Sequence, residues 1–120
     1  MSQRRFLYVM TQAPYSNVSG QEALDAALIG ASFDIDVAIL FIHDGVHQIT
    51  RNQAAASVGM KPVTKAFAAL ADFDIKRVYA HSTSLMARGL ALQDLMIEVQ
   101  LADDQFVREL IEQYDKVITF

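Results

Sequence analysis

The seven residues DVAILFI, Asp36 to Ile42, run almost unbroken in apolar, branched or aromatic side chains. A strand with one face in water alternates apolar and polar positions, whereas a strand covered on both faces has no need to. RFLYVM, Arg5 to Met10, reads the same way. Two such segments imply a parallel sheet with helices on either side. KRVYAH (Lys76 to His81) and DKVITF (Asp115 to Phe120) supply two further strands, and MIEVQ (Met96 to Gln100) is a weaker fifth.

Helical periodicity fills the intervals. Ser19 and Glu22 have the spacing of a capping box, and Leu24, Ala27, Leu28 and Ala31 follow as one stripe. Pro62 suits the first position of a second helix, in which Val63, Phe67 and Leu70 share a face. A third helix opens at Asp103 or Asp104, acids that complement the helix dipole. It carries Phe106, Val107, Leu110, Ile111 and Tyr114 near the 3.6-residue period.

One junction recurs. ASFDID at Ala31 to Asp36 returns as ADFDIK at Ala71 to Lys76, forty residues on, and QYDKV at Gln113 to Val117 is a shorter copy. Each sets an aromatic ring and an aspartate between a helix and the next strand. The ring can tuck under the helix end, and the carboxylate can hold the turn through its own backbone. Strand and helix therefore alternate, which predicts a three-layer α/β/α sandwich with a mainly parallel five-stranded sheet, flavodoxin-like, as a single domain over residues 1–120.

Composition narrows the function. Hydrophobic residues make up 52% of the 120 and charged residues 20%, so apolar surface is in excess. Either the sheet is covered on both faces or partner subunits share the surplus. No apolar run reaches the roughly 18 to 20 residues that cross a bilayer, and the N-terminal stretch is too short for a secretory signal. A cytoplasmic protein is expected. There is no cysteine, which excludes disulfides, thiolate metal sites, iron-sulfur ligation and any cysteine nucleophile. The net charge is −4 and the ten lysines and arginines are scattered, so direct nucleic-acid binding is not expected.

Ligands of open parallel sheets sit beyond the carboxyl ends of the strands, which singles out three loops. TQAPYSNVSG, Thr11 to Gly20, is polar and enters a helix. It matches neither the P-loop nor the dinucleotide fingerprint, and capping accounts for it without a ligand. HDGVHQITRNQ, His43 to Gln53, offers His43 and His47 at helical spacing with Asp44 beside them. Gly45 lies between them and no HExxH pattern is present, so no metal site is expected; Gly45 is expected to supply a positive φ in a turn. HSTSLMARG, His81 to Gly89, lacks the glycines of a serine-hydrolase elbow. Here Arg88 and Gly89 read as a helix end, and His81 either caps the short helix or lines a pocket with Ser82, Ser84 and Arg88.

TQAPYSNVSGQEALDAAL, AILFIHDGVHQI, VYAHSTSLMARGL and YDKVITF together resemble, in order and over essentially the whole chain, the DsrE/DsrF/TusBCD sulfur-relay family, and its TusC (DsrF) branch most closely. The paired elements FxxDGV and SLxxRGL carry the resemblance. It implies a flavodoxin-like subunit that assembles with B-like and D-like chains into a heterohexamer and forms homo-oligomers or aggregates when alone. It also implies that the D-like chain bears the essential cysteine. The relay would end in 2-thiolation of the tRNA wobble uridine or, in sulfur oxidisers, serve dissimilatory sulfur metabolism.

In that family the sulfur-bearing thiol lies eight residues before the glycine of the RG pair, and counting back from Gly89 reaches His81. Imidazole cannot carry persulfide sulfur. The resemblance thus implies a non-catalytic structural subunit with no cofactor and no metal. Asp44, Gly45, Val46, Ser82, Ser84, Arg88 and Gly89 are its candidate pocket or interface residues. A stand-alone flavodoxin-like small-molecule binding domain is the alternative.

Overall fold

A computed structural model describes residues 4–12, 35–50, 75, 77–95 and 97–120. The helices predicted after Ser19 and at Pro62 lie outside the described residues. Five strands form one sheet: β1 (Arg5–Met10), β2 (Asp36–Phe41), β3 (Arg77–His81), β4 (Gln100–Ala102) and β5 (Lys116–Thr119). Their order is β4-β3-β2-β1-β5 and every pairing is parallel. Among the described residues two α-helices accompany them, α1 (Ser82–Ala87) and α2 (Asp104–Gln113), with 3-10 turns at His43–Ile49 and Leu92–Asp94.

Both faces of the sheet are covered, as the unbroken apolar strands require. On one side Tyr8, Met10, Val37, Ile39, Phe41, Val78 and Ala80 pack against Val46, Ile49, Leu85 and Leu95. On the other side Leu7, Val9, Ala38, Leu40, Tyr79 and Ala102 meet Val107, Leu110 and Tyr114. Alternation along each strand divides the side chains between two cores, and the result is an α/β sandwich of three layers. Complete burial of a Leu or Phe contributes about 1.5–3 kcal/mol, and Leu7, Leu40 and Phe41 are each wholly buried.

The fifth strand corrects the sequence expectation. Of the segment MIEVQ, Ile97 to Val99 lie outside the strand and Gln100 opens it: β4 is Gln100–Ala102, paired with Tyr79–His81. Ile97 and Val99 pack against the first core from the segment before it. Their apolar character reflects that packing, while the strand at the sheet edge carries the exposed Gln100 and Leu101.

Of the three copies of the junction, only Tyr114–Asp115 lies within the described residues. Tyr114 is buried at the end of α2, and the Arg5 guanidinium sits 4.5 Å from its ring centroid. The aspartate does not close its own turn. Its Oδ2 accepts the Arg5 N–H at 2.8 Å while its own N–H donates to the Arg5 carbonyl at 2.9 Å, so it clasps the start of β5 to the start of β1.

Candidate functional site

The carboxyl ends of β2 and β3 and the opening of α2 converge on His81. As the last residue of β3 it shares the face of Tyr79, which is the α2 side of the sheet. Its side chain is 9% exposed. Nε2 lies 2.5 Å from Asp104 Oδ1, and Nδ1 lies 2.7 Å from Ser84 Oγ. A carboxylate only accepts, so Nε2 carries the proton; in the neutral ring Nδ1 then accepts from the Ser84 hydroxyl. Ser84 Oγ in turn accepts the His43 N–H at 2.8 Å. Each group in the array has a partner, which matters because an unsatisfied buried polar group costs about 1–3 kcal/mol.

Serine, histidine and aspartate stand here in hydrogen-bonded sequence, yet hydrolysis does not follow. Ser84 is 4% exposed inside the first turn of α1, and its oxygen already receives the His43 amide. A nucleophile must be reachable and must face an oxyanion site. The arrangement is instead a bracket joining three loops. Although His81 precedes α1, its ring does not cap the helix backbone.

A second bracket lies beside the first. Arg88 donates from Nε and from one terminal nitrogen to Asp44 Oδ1, at 3.1 and 2.9 Å, and from the other terminal nitrogen to the Ser84 carbonyl at 3.1 Å. The loop after β2 is thereby tied to the end of α1. Gly89 has φ 65°, its N–H bonds the Met86 carbonyl and the Leu90 N–H bonds the Leu85 carbonyl. Those are the two bonds of a Schellman cap. Ser82 Oγ reaches the Ala102 carbonyl at 3.3 Å and links α1 to β4.

Gly45 and Val46 lie buried in the 3-10 turn, and the reason for the glycine differs from the expectation. The positive φ belongs to His43, at 54°. Gly45 is needed for space: a Cβ there would come within 1.8 Å of the Met10 carbonyl oxygen. The turn is pressed against the end of β1, and Gln48 Nε2 adds a hydrogen bond to the Gln12 carbonyl at 2.8 Å.

His43 is exposed, His47 half-buried and His81 buried. Among the described residues no three histidine or acidic side chains gather where a metal could be held. Of the loop after β1, Thr11 and Gln12 are described, and the Thr11 hydroxyl donates to the Phe120 carbonyl at 2.7 Å. The rest of that loop and residues 51–53 lie outside the described residues. Asp104 is the site residue that sequence reasoning missed. In the sequence it has only the signature of a helix-opening acid, and no local pattern ties it to His81, 23 positions earlier.

The family model described as "DsrE/DsrF-like family" matches residues 4–120. The intracellular sulfur oxidation protein DsrF of Allochromatium vinosum is 39% identical over 115 residues, 96% of this chain and 81% of its own. A protein TusC homolog of Pseudomonas aeruginosa is 40% identical over 113 residues, 94% of this chain and 95% of its own. Among solved structures, the ychN protein from E. coli superposes with a TM-score of 0.84 over 98% of this chain and all of that one. At 20% identity that likeness speaks for the fold alone.

Proposed function

The chain belongs to the DsrE/DsrF-like family, and from that premise we propose that it is a non-catalytic structural subunit of a sulfur-relay complex of TusBCD or DsrEFH type. It works in the cytoplasm, held with B-like and D-like chains in a heterohexamer. The observation that carries this reading is the state of His81. Sulfane transfer begins with a thiolate, and this chain has no cysteine. The position matched to the family thiol is a buried imidazole engaged on both nitrogens. The sulfur-bearing group therefore belongs to another chain, and this one contributes surface. Met86, Leu92 and Leu101, 78%, 51% and 50% exposed, are large apolar side chains of the kind that interfaces cover.

The end product in this reading is the 2-thio group of the tRNA wobble uridine. The likeness to a DsrF protein, as strong as that to a TusC homolog, supports a second reading in which the relay serves sulfur oxidation. Co-purification with the B-like and D-like chains tests the assembly: one complex by size exclusion is expected, and a monomer indifferent to both partners refutes it. Deletion of the gene then separates the pathways. Loss of 2-thiouridine from tRNA supports the first, and intact 2-thiouridine with impaired oxidation of reduced sulfur supports the second.

A further inference from the structure

Among the described residues His43 is the one non-glycine residue with positive φ, at 54°. That region is uncommon for a residue with a Cβ, although histidine enters it more readily than most, and its surroundings hold it there. The His43 N–H is held by Ser84 Oγ, which is anchored through His81 to Asp104. The next residue, Asp44, is clasped by Arg88, and Gly45 after it is wedged against the Met10 carbonyl. Two polar brackets and a close backbone contact thus fix one residue, and the side chain they present is exposed at the carboxyl edge of the sheet.

The chain has three histidines. His81 has both ring nitrogens engaged, and His47 is half-buried with an interaction of its own. His43 is the exposed one. Thiol chemistry at neutral pH needs a group that can accept the thiol proton, and imidazole is the side chain suited to that. We propose that His43 is the proton acceptor this chain offers to a thiol brought to the edge by a partner subunit, a chemical task added to its structural one. A ring nitrogen lone pair takes the proton of the S–H group and the bonding pair stays on sulfur, giving imidazolium and thiolate. No oxidant or reductant is involved. The thiolate is the species that attacks sulfane sulfur.

This inference rests on the relay reading above, so assembly is measured first. If the wild-type chain forms no complex with its B-like and D-like partners, the relay reading fails and this inference fails with it. With the complex assembled, the partner thiol is titrated with iodoacetamide at fixed neutral pH. His43→Gln is expected to slow alkylation about tenfold or more. His43→Gly, which relieves the positive φ, is expected to slow it equally while leaving the isolated chain at least as stable. Wild-type alkylation rates in both variants, within an intact complex, overturn the inference and leave the relay reading standing.

Discussion

Asp104 Oδ1 lies 2.5 Å from His81 Nε2 and joins the first turn of α2 to the last residue of β3. Asp104 is largely exposed, so the pair is screened and Asp104→Asn is expected to cost about 1 kcal/mol. His81→Ala also strands the Ser84 hydroxyl in a buried site and is expected to cost about 2–3 kcal/mol. The double variant should lose little beyond His81→Ala alone, because the two changes remove one shared interaction. Urea unfolding of the four proteins checks this; full additivity would show that the pair is not coupled.

Gly45→Ala places a methyl where the Met10 carbonyl already stands, at 1.8 Å. The crowding atom is backbone in a central strand, so relief requires β1 and the 3-10 turn to separate. A loss of about 3 kcal/mol is expected, read as a lower urea midpoint at unchanged m-value.

Gly89→Ala probes the other role of glycine. The site has open space but a φ of 65°, and the expected cost is about 1 kcal/mol. Gly89→Asn, which tolerates that region better, should recover part of the loss.

Burial pushes the phenols of Tyr8 and Tyr79 above their ordinary value, and Tyr114 adds to the effect at Tyr79. In the unfolded chain both ionise near pH 10. The folded state holds its protons to higher pH, so above about pH 10 it binds more than the unfolded state, and stability falls as pH rises. Below the unfolded value the contribution is fully present. Tyr79→Phe keeps the ring beside Phe106, whose centroid is 5.5 Å away, and removes the ionisation. The alkaline decline in unfolding free energy should therefore be shallower in the variant, whatever its stability at neutral pH.

Strands buried on both faces announce themselves, and for that reason β1 to β3 were readable in the sequence. RFLYVM coincides with β1, and DVAILFI overruns β2 by one residue, Ile42, whose N–H turns to the Met10 carbonyl. The edge strand β4 was misplaced because apolar content there belongs to the preceding segment. Along α2 and its C-cap, Val107, Leu110 and Tyr114 are core as the period predicts, whereas Phe106 and Ile111 are 36% and 46% exposed. At the site, the residue types of the two polar brackets were visible and their pairing was not. Arg88 and Asp44 are separated by 44 positions, and only the parallel order of β2 and β3 brings them together. The role of Gly45 was misassigned for a similar reason: a close approach to a distant carbonyl leaves no local signature.

The clasp between Asp115 and Arg5 spans 110 positions. On the ribosome β1 is made before β5, and the strand that covers its outer edge is absent until synthesis reaches Lys116–Thr119. At 5–20 residues per second that delay is about 5–20 s, during which a greasy strand edge stays open to any neighbouring nascent chain. A newly made chain thus passes through an interval in which the edge of β1 is a template for pairing with another chain, and only the last strand closes it.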